Sequence, residues 1–210
     1  MSRSSFRGFI TRPVLIALVI GLCGGAGSIL FLLEFDHYTS SNAFCTGCHS
    51  MSFAAESYRR SVHYNSPSGV RAECGDCHVS KGVFAATWDH TMGIKDLLKQ
   101  FFGPNYEDPV INALHLPEAA FAARAWFRQQ DSATCKSCHE LDAIQGKRPD
   151  TQAIHRDETK GKSCIDCHYN LVHRQVPDEK TFKREAWNRM IEEEFKLAPG
   201  TAAKLLGEKH

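Results

Sequence analysis

No acidic residue occurs in the first 33 positions of this 210-residue chain, and no long run of alternating apolar and polar residues occurs anywhere in it. The second absence removes the signature of a half-buried β-strand and argues against a sheet protein. An excess of one charge is lacking as well: 25 Lys and Arg stand against 24 Asp and Glu, so the balance gives no reason to expect a nucleic-acid partner. Wholesale disorder is excluded by a composition that is 42% hydrophobic and 10% aromatic. What stands out is nine Cys and eleven His, with eight of the cysteines beyond residue 44.

Arg3, Arg7 and Arg12 are the only basic residues ahead of Glu34, and between them and Glu34 runs Val14 to Leu33, 20 residues without a charge. As a helix rising about 1.5 Å per residue, this run spans roughly 30 Å, the thickness of a bilayer core. The sequence therefore predicts a transmembrane anchor over 14–33. Basic residues stay on the cytoplasmic side, which puts 1–13 in the cytoplasm of a bacterial inner membrane and everything from Glu34 onward in the periplasm. The alternative is a cleaved secretory signal ending in the small residues Gly24 to Ser28, but the apolar run exceeds the roughly 7–15 residues of a signal's core. Either way the remainder is exported. Gly21, Gly24, Gly25 and Gly27 would let a neighbouring helix approach closely, and Cys23 reads as a small apolar residue of the span.

The other cysteines form four copies of one pattern: Cys45-Thr-Gly-Cys48-His49, Cys74-Gly-Asp-Cys77-His78, Cys135-Lys-Ser-Cys138-His139 and Cys164-Ile-Asp-Cys167-His168. A shuffled chain of this composition would hold about 0.02 copies of Cys-x-x-Cys-His, the attachment pattern of c-type haem. Two thiols bond the haem vinyl groups and the adjacent imidazole reaches the iron, which explains both the tight spacing and the histidine that follows every pair. Zinc sites and disulfides also use paired cysteines, but neither explains that histidine. Four covalently bound haems are the cofactors expected.

The first cysteines lie at 45, 74, 135 and 164, so the same interval recurs in two halves. Within each half a further histidine sits between the motifs, His63 and His155, and another follows the second motif, His90 and His173. A six-coordinate iron needs a second axial donor, and these four are the natural supply. His115 lies between the halves and breaks the symmetry, while His37 and His210 read as surface residues. The first motif continues as His49-Ser-Met51, which adds a thioether as a possible iron ligand.

An N-terminal anchor, a first Cys-x-x-Cys-His-x-Met, three further Cys-x-x-Cys-His motifs, and an amphipathic stretch with Lys and Asp after the second motif resemble the NapC/NirT family of membrane-anchored tetrahaem cytochromes c. The resemblance covers about residues 10–175. It implies a quinol dehydrogenase whose first haem is five-coordinate or weakly held, bound through the methionine that is Met51 here, beside the quinol pocket. It also implies a carboxylate after the second motif that approaches that haem, preceded by a Lys or His. In Trp88-Asp89-His90-Thr-Met-Gly-Ile-Lys95-Asp96 the carboxylate maps onto Asp96 and the basic residue onto His90. Asp89 and Lys95 are rivals for those two roles, and His90 is a candidate both for iron ligand and for proton acceptor.

A quinol sheds two electrons and two protons, so its site must adjoin the membrane and offer groups within about 2.6–3.2 Å of each phenolic proton. Phe84, Trp88, Met92, Ile94, Leu97, Leu98, Phe101 and Phe102 suit a membrane interface and would line a ring pocket. The alternative is an amphipathic helix that covers haem.

The expected fold is mainly α: the anchor, then short helices and loops around four haems, which themselves form the core that buries apolar side chains. The expected divisions are a first dihaem half with the quinol site at 34–103, a second half at 104–175 and a helical extension at 176–210. Glu34 to Ala43 reads as a linker, Pro104 to Pro117 as a loop between the halves, Ala119 to Gln129 as a helix, and Thr181 to Leu197 as a helix closed by Pro199-Gly200. That last helix would pack on the haems or dock a partner. The function expected is oxidation of membrane quinol at the periplasmic face, with electrons relayed to a periplasmic redox partner such as a terminal reductase of anaerobic respiration, alone or in a complex. Two rivals keep the haems: flow in the reverse direction into quinone, and an electron-carrying anchor without quinone chemistry.

Overall fold

The computed structural model describes residues 11–146, 148–158 and 161–207; His210 and the basic residues Arg3 and Arg7 lie outside them. Among the described residues there is no strand. The helices are α1 (Arg12–Thr39), α2 (Asn42–Cys45), α3 (Ser52–Arg59), α4 (Cys74–His78), α5 (Val83–Phe102), α6 (Pro109–Gln129), α7 (Ala133–Lys136), α8 (Thr151–Ala153), α9 (Arg184–Glu194) and α10 (Thr201–Leu205).

Helix α1 is the one described helix long and apolar enough to cross a membrane. It continues past Leu33, so the linker expected over 34–43 is corrected: Glu34 to Thr39 contain no Gly or Pro, and the helix simply keeps its hydrogen-bond ladder. Its 28 residues span about 42 Å, roughly two turns more than a bilayer core requires. The end comes at Ser40, whose N–H donates to the Asp36 carbonyl, and Ser41 then caps α2 by accepting from the Phe44 N–H at 3.2 Å.

The loop expected over Pro104 to Pro117 is also corrected. Asp108 caps α6 by accepting from the N–H groups of Val110 and Ile111 at 2.8 and 3.1 Å, and Pro109 takes the first helical position, where no N–H is needed. The helix then runs straight through Pro117. Proline cannot donate to the carbonyl four residues back, that of Ala113; instead the Trp187 indole Nε1 of α9 donates to it at 3.0 Å. Arg184 donates to the neighbouring Leu114 carbonyl at 2.9 Å.

These bonds seat the C-terminal extension on α6. Ala113, Leu114, Val176, Trp187, Ile191 and Ala202 form one buried cluster, flanked by Phe121, Phe182 and Phe195. The expected helix over 181–197 is shorter than foreseen, α9 ending at Glu194, and it packs against α6 and α10. Thus the described apolar core sits at one end, around α6, α9 and α10, while α1, α2, α4 and α5 gather at the other.

Candidate functional site

The four Cys-x-x-Cys-His motifs sit on short helical turns: α2 leading into a 3-10 turn at His49–Met51, then α4, then α7, then a 3-10 turn at Cys164–Asp166. Their pairing repeats. In the first half the Cys74 N–H donates to Asn42 Oδ1 at 2.8 Å and the Gly75 N–H donates to the Ser40 carbonyl at 3.1 Å. In the second half the Ile165 N–H donates to Ser132 Oγ at 3.4 Å, and Ser132 also shares a hydroxyl hydrogen bond with Ser163. Asn42 and Ser132 both stand three residues ahead of their motif. Asp76 closes its turn by accepting from the Glu73 N–H at 2.9 Å, and Asp166 does the same for Ser163 at 2.9 Å. Asp precedes the second Cys in both motifs, a sequence signal of this capping role that the haem-centred reading passed over.

Consecutive motifs are close enough for their thiols to interact. Cys45 and Cys74 share a hydrogen bond that holds Cys74 down to about 7 and pushes Cys45 up, burial adding to the rise. Burial pushes Cys77 up to about 11, with Cys135 and Asp76 adding to it, and burial followed by Cys164 raises Cys135. The motifs therefore follow one another in space in the order one, two, three, four. None of the nine cysteines is in a disulfide, and no three His, Cys, Asp or Glu side chains among the described residues converge as zinc would require.

Three of the motif histidines face a histidine from elsewhere in the chain. Ring centroids are 6.2 Å apart for His139 and His63, 6.0 Å for His78 and His173, and 6.0 Å for His168 and His155. Imidazoles on opposite sides of one metal, with bonds of about 2.0 Å, have centroids about 6.3 Å apart. Two of the pairs cross the sequence repeat: His63 meets the third motif and His173 the second.

The ring nitrogens support ligation. His63 Nδ1 is buried without a hydrogen-bond partner, as a metal-binding nitrogen would be. His155 Nδ1 is hydrogen-bonded to the Thr151 carbonyl at 2.7 Å, which orients the ring. Loss of hydration lowers the His63 and His173 pKa values, and in His63 the facing His139 lowers it further. The residues present fit haem.

At the first motif the arrangement differs. His49 Nδ1 lies 3.8 Å from Glu107 Oε2, and both His49 and Met51 are exposed. The His115 ring packs edge-on against Tyr106 at 5.5 Å. His37 is exposed, as expected.

Helix α5 packs against the end of α1. His90 is the contact: its Nδ1 donates to the Ala86 carbonyl at 2.8 Å and lies 3.7 Å from Asp36 Oδ1, while its ring meets Phe35 edge-on. Its Nε2 is buried without a partner, making that atom the acceptor. Asp89 accepts from the Ser80 N–H at 2.8 Å and so is committed to fixing the turn after the second motif. Asp96 is exposed with Lys99 beside it at 3.2 Å, and Lys95 is exposed one residue before. The opposite face is strongly apolar, with Phe84 at 86% and Phe102 at 85% exposure, accompanied by Trp88, Ile94, Leu98 and Phe101.

Residues 10–179 match the NapC/NirT cytochrome c family, N-terminal region. The chain belongs to this family. It is 35% identical to the cytochrome c-type protein TorY of Escherichia coli over 165 residues, 77% of this chain and 45% of TorY. It is 32% identical to the cytochrome c-type protein NapC of Haemophilus influenzae over 191 residues, 86% of this chain and 94% of NapC. The tetraheme c-type cytochrome CymA of Shewanella oneidensis is 28% identical over 179 residues, 81% of this chain and 96% of CymA. The chain thus spans about half the length of TorY and TorC, and most of NapC and CymA. No solved structure matches it. Family membership makes this a multihaem c-type cytochrome of electron transport with an N-terminal membrane anchor.

Proposed function

We propose that this cytochrome oxidises membrane quinol at the periplasmic surface of the bacterial inner membrane and relays the electrons to a periplasmic redox partner. The observation that carries this reading is the placement of α5. Its apolar, aromatic face is exposed beside the end of the membrane anchor, and its titratable residues His90, Lys95 and Asp96 lie on the same helix. Such a helix lies in a membrane interface, where a quinol headgroup arrives.

Haem held by Cys45 and Cys48, Cys74 and Cys77, Cys135 and Cys138, and Cys164 and Cys167 supplies irons that each take one electron at a time. His78 with His173, His139 with His63, and His168 with His155 would hold three of the irons, and Met51 or His49 would serve the first motif. Each quinol that becomes quinone releases two electrons to this relay and two protons to side chains. Asp96 accepts a phenolic proton, with Lys99 beside it at 3.2 Å. His90 accepts the other at Nε2, held in the right tautomer by its Nδ1–H bond to Ala86 and oriented toward the anchor by Asp36. Asp89 keeps the preceding turn in place, which leaves Asp96 as the carboxylate free to act.

The test is direct reduction of the detergent-solubilised, haem-loaded protein by a menaquinol or ubiquinol analogue. Rapid reduction that Asp96→Asn slows, with haem content unchanged, supports the reading. A wild-type protein that no quinol reduces overturns it.

A further inference from the structure

We propose that Arg124 and the Arg174–Glu194 pair are positioning residues that hold His173 against His78, so that the C-terminal extension is a buttress for the second haem. This rests on the reading that His78 and His173 share one iron.

The segment that carries His173 is neither helix nor strand, so it lacks a backbone ladder of its own and must be held by other groups. Asn170 closes it into a loop: its Nδ2 donates to the Val176 carbonyl at 3.1 Å, and its Oδ1 accepts from the Val176 N–H at 3.1 Å. Arg124 of α6, only 3% exposed, reaches in behind. Its Nη1 donates to the Pro177 carbonyl at 2.8 Å, and its Nη2 donates to the Val176 carbonyl at 2.8 Å and to Asn170 Oδ1 at 3.2 Å. The guanidinium lies over the Tyr169 ring at 4.8 Å. A planar fork can span three acceptors in fixed directions, which a lysine ammonium cannot.

The second hold comes from α9. Arg174, adjacent to His173, makes a two-bond pair with the Glu194 carboxylate, one bond at 3.0 Å, and its guanidinium lies 5.5 Å over the Trp187 ring. Val176 is buried in the cluster that α6, α9 and α10 form. The family match ends at residue 179, so α9 and Glu194 lie beyond it. Nothing in the capture of four haems requires this tail, yet it grips the loop that bears one of the ligands.

The experiment uses the full-length, haem-loaded protein in detergent, reading the high-spin signal and the fraction of haem that binds carbon monoxide. His173→Ala is expected to open one haem. Arg174→Glu is expected to raise the reactive fraction of that same haem about tenfold, as loss of a charge-assisted hydrogen bond does, and the swap Arg174→Glu with Glu194→Arg to reverse it. Arg124→Lys should open the same haem; because Arg124 is buried, the exposed Arg174 pair keeps the test decisive if this variant is not obtained. Glu118→Gln breaks a tie between α6 and Arg184 of α9 without touching residues 170–177, and should lower the unfolding midpoint while leaving the spectrum unchanged. If His173→Ala changes nothing, the shared-iron reading fails. If it opens a haem but Arg174→Glu and Arg124→Lys do not, or the swap fails to restore it, or Glu118→Gln opens it equally, the positioning role is overturned.

Discussion

The Trp187 indole hydrogen-bonds the Ala113 carbonyl across two helices because Pro117, four residues further along α6, has no N–H to give it. Trp187→Phe keeps the buried ring and removes the donor, leaving a carbonyl unpaired in a core where Leu114 and Ile191 are fully buried. The expected loss is about 1–3 kcal/mol, measured by denaturant unfolding. In a Pro117→Ala background the helix supplies its own N–H, so the same substitution should cost less. A double-mutant cycle with no coupling between 117 and 187 would refute this account.

The three imidazole pairs make a spectroscopic prediction. His63→Ala, His155→Ala and His173→Ala should each convert one haem, a different one each time, from low-spin to high-spin. His115→Ala should convert none, since its ring packs on Tyr106 and not in one of the three imidazole pairs. Electron paramagnetic resonance on the four single variants checks this.

Asp96 and Asp89 should separate cleanly. Asp96→Asn is expected to slow reduction by a quinol analogue by about 10²-fold or more, the usual contribution of a general base, with little effect on the unfolding midpoint because Asp96 is exposed. Asp89→Ala removes the acceptor for the Ser80 N–H and should lower stability by about 1–2 kcal/mol. Stopped-flow reduction and thermal unfolding of both variants distinguish the roles.

Gly75 is required by a close approach. A Cβ there would lie 2.5 Å from the Ser40 carbonyl oxygen and 2.6 Å from Ser40 Cβ. Gly75→Ala must push α4 away from the end of α1, at a cost of about 1–3 kcal/mol. The yield of protein with four attached haems should fall, while Gly47→Ala, whose nearest atom would be 3.1 Å away, should be milder.

The motifs were legible in the sequence because covalent attachment demands adjacent residues, and the anchor because crossing a bilayer demands an unbroken apolar run. His63, His155 and His173 stood out through the repeat. Which motif each of them faces was not legible: nothing local links His63 to His139 or His78 to His173, and contacts between distant segments, such as α4 against α7 and Arg124 against residues 170–177, bring them together. Pro117 misled for a related reason. Proline normally interrupts a helix, and the group that compensates for it, Trp187, lies far along the chain. The buttress on His173 was hidden likewise, since Arg124 reads as one more charge on a helix until its three acceptors are seen.

The crossing of the ring pairs bears on how the molecule is made. If His78 and His173 hold one iron, a polypeptide threaded outward from its N-terminus presents Cys74 to Cys77 long before residue 173 has emerged, so the second site lacks its facing imidazole until then. Closure waits for the tail to arrive and latch. Truncation at the boundary between the repeats would accordingly strand sites on both sides of the cut, and two independently secreted halves would each mature incompletely.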